Sequence, residues 1–198
     1  TNFWGGINFT ILNVTTGGGG RQINLDDDCW FNNVTVTAGD TFNISSVVNV
    51  EFLDDLLYHG DMTLEGNITL LSGLLNVTNN TVVNGVLNAS QSSATYFTNL
   101  TLNTNGVYHA TSGVTTIYEE VNIFDENRWL NNSGVVVHSP TIDVNLNYTN
   151  SSLNYLNLTS KNYTAISDIF VKHITIDSGT NLSINSGVTV FYSNLFGL

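Results

Sequence analysis

The chemically reactive motif that recurs most often in this chain is Asn-x-Ser/Thr, the acceptor sequence for N-glycosylation. It occurs 15 times, whereas 30 Asn, 25 Thr and 17 Ser scattered over 198 residues would produce it about six times by chance. Composition alone therefore does not explain the excess, and we expect glycosylation at many of these sites. The acceptor residues are Asn8, Asn13, Asn33, Asn43, Asn67, Asn76, Asn79, Asn88, Asn99, Asn131, Asn147, Asn150, Asn157, Asn162 and Asn181.

The middle residue of this motif indicates how the acceptor is positioned. In twelve of the fifteen sites it is apolar or aromatic, as in "NIT", "NVT" and "NLT". Residues i and i+2 of a β-strand share one face, and residue i+1 points to the other. The motif therefore predicts a strand whose Asn and Thr face solvent while the middle residue enters the core.

Acidic side chains offer a second kind of chemistry, and three of them stand together in "LDDDCW". Asp26 and Asp28 would share one side of a strand, where paired carboxylates can hydrolyse glycosides or bind Ca²⁺. No EF-hand spacing and no repeated Gly-Asp calcium motif occurs in the sequence, so we expect a solvated acidic turn, with Ca²⁺ binding and catalysis as alternatives. The other acids considered are Asp27, Asp54, Asp55, Glu119, Glu120, Asp125 and Glu126.

Other catalytic motifs are missing from the sequence. His59, His109, His138 and His173 lack the spacing of metal ligands. There is no G-x-S-x-G motif, and the glycine run lacks the Lys-Ser/Thr end of a phosphate-binding loop. We therefore expect a protein that is not an enzyme and that holds no cofactor and no metal.

Charge and cysteine content restrict the partners and the compartment. A net charge of −12 with four Lys+Arg argues against nucleic acid and anionic membrane surfaces, both of which attract clustered cations. No run approaches the roughly 20 apolar residues of a spanning helix. Because the chain begins with Thr1, we interpret it as having lost a signal segment or been trimmed. We expect a secreted or cell-surface protein in which Cys29, the single cysteine, is a small buried residue without a disulfide.

Short alternating runs dominate the chain and predict an all-β fold. Examples are "VTVT" (34–37), "TYFTNLTL" (95–102) and "IFVKHITI" (169–176). Uneven strand lengths favour a β-sandwich or jelly-roll-like head. The alternative is a right-handed parallel β-helix, which spends about 20 residues per coil. No fixed period fits residues 103–160, where "YEEVNIFDENRWLNNSG" interrupts the pattern, so the sandwich is the preferred prediction.

The N-terminal segment is a candidate exchanged strand on a flexible tether. The apolar residues of this strand are Ile7, Phe9, Ile11, Leu12 and Val14. The tether, or hinge, consists of Gly17, Gly18, Gly19 and Gly20. Such a strand can complete the sheet edge of a neighbouring subunit, and a head-to-tail contact of this kind produces a filament. The alternative is an ordinary first strand of a monomeric domain.

This combination of N-terminal strand, Gly-rich link and sequon-dense, cysteine-poor β head resembles subunits of donor-strand filaments, especially the heavily N-glycosylated archaeal thread type. The resemblance implies that residues 1–16 are the donor strand, 17–20 the linker and 21–198 the head. It also implies identical subunits as partners in a helical polymer. One departure is that Asn8 and Asn13 both lie in the tail at an odd separation, so they cannot both face outward on a regular strand.

The sequence thus predicts a structural subunit of an extracellular glycosylated filament used in adhesion or cell contact. The first alternative is a β-helical adhesin or fibre that binds surface glycans, for which a concave row of exposed aromatic residues would be the sign. Trp4, Trp30 and Trp129 are candidates for stacking on sugars, or for packing in the core. The least supported alternative is a polysaccharide-degrading enzyme.

Overall fold

The computed structural model describes residues 2–3, 7–8, 20, 22–25, 27–36, 41–44, 48–126, 128–130 and 133–196. These residues form strands, turns and loops, with no helix among them, in agreement with the predicted all-β class. The strands in chain order are β1 (Asn2–Phe3), β2 (Ile7–Asn8), β3 (Gln22–Leu25), β4 (Cys29–Phe31), β5 (Val34–Val36), β6 (Thr41–Ile44), β7 (Asn49–Phe52), β8 (Leu56–Tyr58), β9 (Met62–Leu64), β10 (Asn67–Leu70), β11 (Leu74–Val83), β12 (Val86–Asn88), β13 (Ala94–Leu102), β14 (Val107–His109), β15 (Val114–Ile117), β16 (Val121–Ile123), β17 (Trp129–Leu130), β18 (Val135–His138), β19 (Val144–Asn147), β20 (Ser152–Leu158), β21 (Tyr163–Ala165), β22 (Ile169–Ile176), β23 (Leu182–Ile184) and β24 (Val190–Phe196).

The strands stack into three faces that the chain visits in turn, so the fold is a parallel β-helix. The first face contains β1, β3, β6, β9, β16, β19, β21 and β23, with the second halves of β11 and β13. The second face contains β2, β4, β7, β10, β12, β14 and β17. The third face contains β5, β8, β15 and β18, with the first halves of β11 and β13 and the second halves of β20, β22 and β24. At the corner between the two halves of β11, the register shifts between Val77 and Asn80.

This arrangement corrects the sandwich prediction and confirms the parallel β-helix that was its alternative. Every pair of described strands is parallel, whereas sandwiches are built from antiparallel sheets. Asn67 stacks on Asn49, whereas Leu146 stacks on Val121 after a distinctly longer stretch of chain. The coil therefore varies in length at its corners, which is why no fixed period fitted residues 103–160.

The core lies inside the three faces, and the middle residues of the sequons supply part of it. Those buried are Val34, Ile44, Ile68, Val77, Ala89, Leu100, Tyr148, Leu158 and Tyr163. Leu182, in the last coil, is partly buried. Phe9 and Val14 lie outside the described residues. The predicted inward position of the middle residue is thus confirmed wherever the structure describes it in the inner coils. Each fully buried Val, Leu, Ile or Phe contributes about 1.5–3 kcal/mol, which helps a chain with one free cysteine to remain folded.

A row of edge-to-face rings runs through the core of the central coils. Its members, in order of contact, are Phe97, Tyr108, Trp129, Tyr148, His138 and Tyr163, with neighbouring ring centroids 4.8–6.0 Å apart. Burial raises the pKa of Tyr108 to about 12 and that of Tyr163 to about 12. Trp129 therefore packs in the core, whereas Trp30 is partly exposed and its Nε1 donates to Glu51 Oε2 at 2.7 Å. Trp4 lies outside the described residues.

The described parts of the N-terminal segment pair with the chain's own next coil. Ile7 and Asn8 in β2 lie in parallel register with Cys29 and Trp30 in β4, and β1 pairs with β3 in the same way. Of the predicted hinge, Gly20 is described, with φ +71°. The other predicted strand and hinge residues lie outside the described residues: Phe9, Ile11, Leu12, Val14, Gly17, Gly18 and Gly19.

The last described coil leaves its inward side chains partly uncovered. Ile184, Tyr192 and Leu195 occupy inward positions of β23 and β24, because each stacks on a buried residue of the preceding coil. They are nevertheless 51%, 53% and 47% exposed. This end of the solenoid therefore offers an apolar surface and two strand edges that a further strand in the same register would cover.

Candidate functional site

A groove crosses the last three described coils at the first halves of β20, β22 and β24, before the residues of β20 that pair with β18. It has a volume of about 520 Å³ and is formed by consecutive residues of β20, β22 and β24. The lining residues are Ser152, Leu153, Asn154, Phe170, Val171, Lys172, Phe191, Tyr192 and Ser193. Because these strands stack in parallel register, the groove repeats the same three positions on each coil.

Two exposed aromatic rings stack beside this groove. Phe170 and Phe191 lie in register on neighbouring coils, with ring centroids 4.5 Å apart and planes within 1° of parallel. The residue in register with Phe170 on the other side is Ser152, whose small side chain leaves the groove open there. These two rings present a flat apolar surface to solvent, whereas phenylalanine side chains are usually buried.

A second ladder of flat groups continues along the same strands. Tyr155 stacks on His173, with ring centroids 4.4 Å apart and an interplanar angle of 12°. On the next coil, Asn194 Nδ2 lies 3.2 Å from His173 Nδ1. The outer side of β20, β22 and β24 therefore combines aromatic rings with hydrogen-bonding groups within a few residues of the groove.

The groove carries positive charge on a strongly negative chain. Lys172 is exposed, and within the described part of the chain it forms no salt bridge. None of the nine lining residues is acidic, although the chain as a whole has a net charge of −12. The groove therefore differs in the sign of its charge from the chain as a whole.

Several carboxylates join one coil to the next, among them Asp28 and Asp55 from the acids singled out in the sequence. Asp28 Oδ1 accepts the backbone N–H of Asn49 at 2.8 Å, and Asp55 Oδ1 accepts that of Leu74 at 2.9 Å. The hydrogen bonds that Asp143 accepts from the backbone and side chain of Asn162 lower the pKa of its carboxyl. These carboxylates occupy the corners of the coils, where they stabilise the backbone of the following coil.

The other acids form hydrogen bonds at the surface, and those of Glu119 and Glu126 also reach a neighbouring coil. Glu119 Oε2 accepts from Asn99 Nδ2 at 3.2 Å, and Glu126 Oε1 accepts from Asn150 Nδ2 at 2.7 Å. Asp125 forms a salt bridge of 2.6 Å with Arg128, and this hydrogen bond lowers the pKa of Asp125. Asp27, Asp54 and Glu120 also lie at corners or turns, and Asp26 is outside the described residues.

The four histidines lie in different parts of the solenoid. His138 is buried in the aromatic row, where its Nε2 lies 2.8 Å from the Tyr148 hydroxyl. His173 stacks on Tyr155, His59 is exposed and His109 is partly exposed at the end of β14. Among the described residues, no three His, Cys, Asp or Glu side chains gather closely enough to hold a metal ion.

Cys29 is buried, as predicted from its type, and is not paired. Its Sγ lies 2.9 Å from the Asp27 carbonyl oxygen. Burial, together with the nearby charges of Asp27 and Asp28, raises the pKa of the thiol. The residue therefore packs as a small apolar side chain rather than as a reactive thiolate.

The predicted glycosylation sites fall into different positions of the coil. Several occupy corners, where their amides bond to the coil before or after them; others lie on the outer side of strands. For Asn8 and Asn43 the structure describes the backbone and strand position, and Asn13 and Asn131 lie outside the described residues.

Comparison of the chain with protein-family models, with curated proteins and with solved structures gives no match. The described residues contain no helix of the length and hydrophobicity needed to cross a membrane. Conclusions about function therefore depend on the groove and the surface of the solenoid themselves.

The groove residues Phe170, Lys172 and Phe191 were not predicted from the sequence. The signal was present in "IFVKHITI" and "VTVFY", where aromatic residues occupy the outward position of predicted strands. The contact between the two rings can be predicted only if the number of residues in the intervening coil is known. That number is greater between Phe170 and Phe191 than between Ser152 and Phe170. This register becomes visible only in the folded solenoid.

Proposed function

We propose that this protein is an extracellular β-helical fibre or adhesin that binds surface glycans through the groove at the first halves of β20, β22 and β24. The observation that carries the proposal is the open groove of about 520 Å³ beside the stacked rings of Phe170 and Phe191. The excess of sequons supports an extracellular location, because N-glycosylation marks secreted surfaces.

Carbohydrate suits this groove because a sugar ring has an apolar side and a polar rim. Ligand sites combine apolar and aromatic surface with a few polar groups that fix orientation. Phe170 and Phe191 offer the flat surface, while Asn154, Lys172 and Ser193 lie among the lining residues as polar groups. We propose binding rather than hydrolysis, because glycoside hydrolysis uses two carboxylates and the lining residues include none.

The charge of the groove favours a sugar that carries an acidic group. Lys172 is a compact ammonium donor, and no carboxylate among the lining residues competes for it. On a chain with a net charge of −12, an acidic ligand would be repelled from most of the surface and attracted locally to this point. We therefore expect acidic glycans to bind more tightly than their neutral counterparts.

The test is binding to an array of neutral and acidic glycans, with affinities measured for those retained. Phe170→Ala and Phe191→Ala should each weaken binding about tenfold, the equivalent of about 1.4 kcal/mol, since each removes one stacked ring. Lys172→Met should reduce the preference for acidic over neutral glycans. Phe124→Ala is the matched control, because Phe124 is 58% exposed elsewhere on the solenoid. Equal losses in Phe124→Ala and Phe170→Ala, or no retained glycan, would contradict the proposal.

A second candidate is the filament formed by strand exchange between identical subunits. The observation that favours it is the last described coil, where Ile184, Tyr192 and Leu195 are about half exposed at inward positions. The N-terminal strand of a second copy could add to the edges of β23 and β24 and cover these side chains. A contact of this kind is head-to-tail and does not close, so it would extend into a fibre.

Electron microscopy and sedimentation of the full chain test the filament. The variant Ile184→Glu with Leu195→Glu places charge on the surface that the added strand would cover, and it should yield single particles where the full chain yields fibres. Lys161→Glu is the control, because Lys161 is exposed on a loop before β21. Single particles from the unmodified chain at every concentration would contradict the filament and leave glycan binding by the monomer untouched.

A further inference from the structure

The structure describes the side chains of eleven of the fifteen acceptor asparagines, and it divides these eleven by what their side-chain amides already bind. We infer that glycans attach to the sequons whose amide nitrogen is free, and that the sequons at coil corners serve instead as hydrogen-bonding links between coils. This inference rests on the glycosylated, extracellular character of the proposed function. It does not depend on the groove.

The corner sequons use their Nδ2 atoms to bond to another coil. Asn162 Nδ2 donates to Asp143 Oδ2 at 3.2 Å, and Asn162 Oδ1 accepts from Asn181 Nδ2 at 2.9 Å. Three successive coils are therefore joined through one column of side chains. Asn67 Nδ2 donates to Asn49 Oδ1 at 2.9 Å in the same way.

Asn99 is the most fully engaged of the corner sequons. Its Nδ2 donates to Asn80 Oδ1 at 3.0 Å on one side and to Glu119 Oε2 at 3.2 Å on the other. Its Oδ1 accepts the backbone N–H of Glu120 at 2.9 Å. Since a primary amide has two N–H hydrogens, both are already used.

N-glycosylation uses the same Nδ2 atom that donates these hydrogen bonds. Nδ2 forms a bond to the anomeric carbon of a sugar, the bond from that carbon to the phosphate of a glycosyl-phosphate donor breaks, and the phosphate leaves with the electron pair. Nδ2 loses one of its two protons to a base of the glycosyltransferase. Asn99 would then lose one of the two hydrogen bonds that its Nδ2 donates. At every corner, a sugar ring would have to fit beside a neighbouring coil about 4.8 Å away.

A second group of sequons has no such conflict. Asn76 in β11 and Asn157 in β20 form no hydrogen bond through their side chains within the described structure, and both lie at outward positions of their strands. Asn88 and Asn147 use Oδ1 to accept the hydroxyl of their own motif, from Ser90 at 2.7 Å and Thr149 at 2.8 Å. Asn33 likewise uses only its Oδ1, which accepts the backbone N–H of Asp55 at 3.0 Å. We call the sequons whose Nδ2 donates no hydrogen bond in the described structure the open group; its members are Asn33, Asn76, Asn88, Asn147 and Asn157.

The geometry of the sequon at Asn79 also argues against its use as an acceptor, and for this reason we place it with the corner sequons in a closed group, meaning sequons that we expect to carry little or no glycan. The motif that begins at Asn79 reverses the usual phase, because its third residue, Thr81, is fully buried. The Thr81 hydroxyl also has no hydrogen-bond partner among the described residues. The hydroxyl that completes an acceptor motif is thus hidden inside the solenoid. We therefore assign Asn79 to the closed group, with Asn67, Asn99, Asn150, Asn162 and Asn181.

The test is site-by-site occupancy of the full chain secreted from an N-glycosylating host. Enzymatic release of glycans in heavy-oxygen water marks each occupied Asn, and chymotryptic peptides are read by mass spectrometry because four Lys+Arg leave few tryptic sites. We expect Asn76 and Asn157 to be mostly occupied, and Asn99 and Asn162 to be occupied at least tenfold less. Occupancy of Asn99 or Asn162 equal to that of Asn76 would overturn the inference.

A matched pair of variants separates the two roles. Asn76→Gln should remove one glycan mass and leave the thermal midpoint unchanged. Asn99→Gln should leave the glycan mass unchanged and lower the midpoint by about 3 °C, because it displaces the inter-coil hydrogen bonds. If the open sites carry no glycan, the assignment of the open group is wrong, while the array experiment still decides whether the groove binds glycans.

Discussion

Acidification from pH 7.5 to pH 5 is expected to lower the free energy of unfolding by about 2 kcal/mol, with His138 as the cause. Burial lowers the pKa of this imidazole from its usual 6.5 to about 3. Well above pH 6.5 the side chain is neutral in both the folded and the unfolded chain. Below that pH the unfolded chain binds a proton that the folded chain excludes, so stability decreases by up to about 1.4 kcal/mol per pH unit until the folded pKa is approached.

The surroundings of His138 explain why the folded protein excludes this proton. Its Nε2 is bonded to the Tyr148 hydroxyl at 2.8 Å, and the Tyr163 ring lies 5.9 Å from its own. Burial also raises the pKa of Tyr148 well above its usual value of 10, so this neighbour stays neutral. His138 Nδ1 is buried and has no hydrogen-bond partner in the described structure. A protonated imidazole would therefore place an uncompensated charge in the core.

Denaturant unfolding measured at half-unit steps from pH 7.5 to 5 tests this expectation. His138→Gln keeps a polar group near the Tyr148 hydroxyl but does not titrate, so its stability should change less across this range than that of the unmodified protein. His59→Gln is the control, because His59 is exposed and its replacement should leave the pH dependence as it was. Nuclear magnetic resonance provides an independent measurement: a His138 ring that titrates near pH 6.5 in the folded protein would contradict the explanation.

The local structure of this protein was predictable because its sequons alternate with the strand period. "NIT" at residues 67–69 and "NYT" at 162–164 each place a buried residue between two outward ones, as expected from the two-residue repeat of a strand. The corner role of the Asn itself was not predictable from one motif. It depends on a side chain in the adjacent coil, such as Asp143 beside Asn162.

The topology was harder to predict because coil length varies while strand pattern does not. Val135 stacks on Val114, but Leu146 stacks on Val121 across a longer stretch of chain, so the corner loops absorb the difference. Antiparallel and parallel packing also place the same alternating residues inward, and only strand order distinguishes them. Prediction of the groove would have required both the number of residues per coil and the parallel order of the strands, because these two properties together place Phe170 beside Phe191.

Replacement of Gly85 by Ala is expected to lower the free energy of unfolding by about 3 kcal/mol. A Cβ built on Gly85 would lie 1.9 Å from the Gly66 carbonyl oxygen and 2.7 Å from that of Glu65. Both atoms belong to the backbone of the preceding coil, and the Gly66 carbonyl accepts the N–H of Val86 at 3.1 Å. The neighbour therefore cannot move aside without loss of inter-coil hydrogen bonds.

The matched control is Gly179→Ala, which separates close packing from backbone conformation. Gly179 has φ +81° but nothing lies within 4 Å of a Cβ built there, so its replacement should cost about 1 kcal/mol through backbone strain alone. Thermal unfolding should show a decrease of about 6–12 °C for Gly85→Ala and of about 2–4 °C for Gly179→Ala. Equal decreases would mean that the corner at Gly85 can widen. The close stacking of coils, on which both the groove and the columns of Asn amides depend, would then be looser than the inter-coil distances indicate.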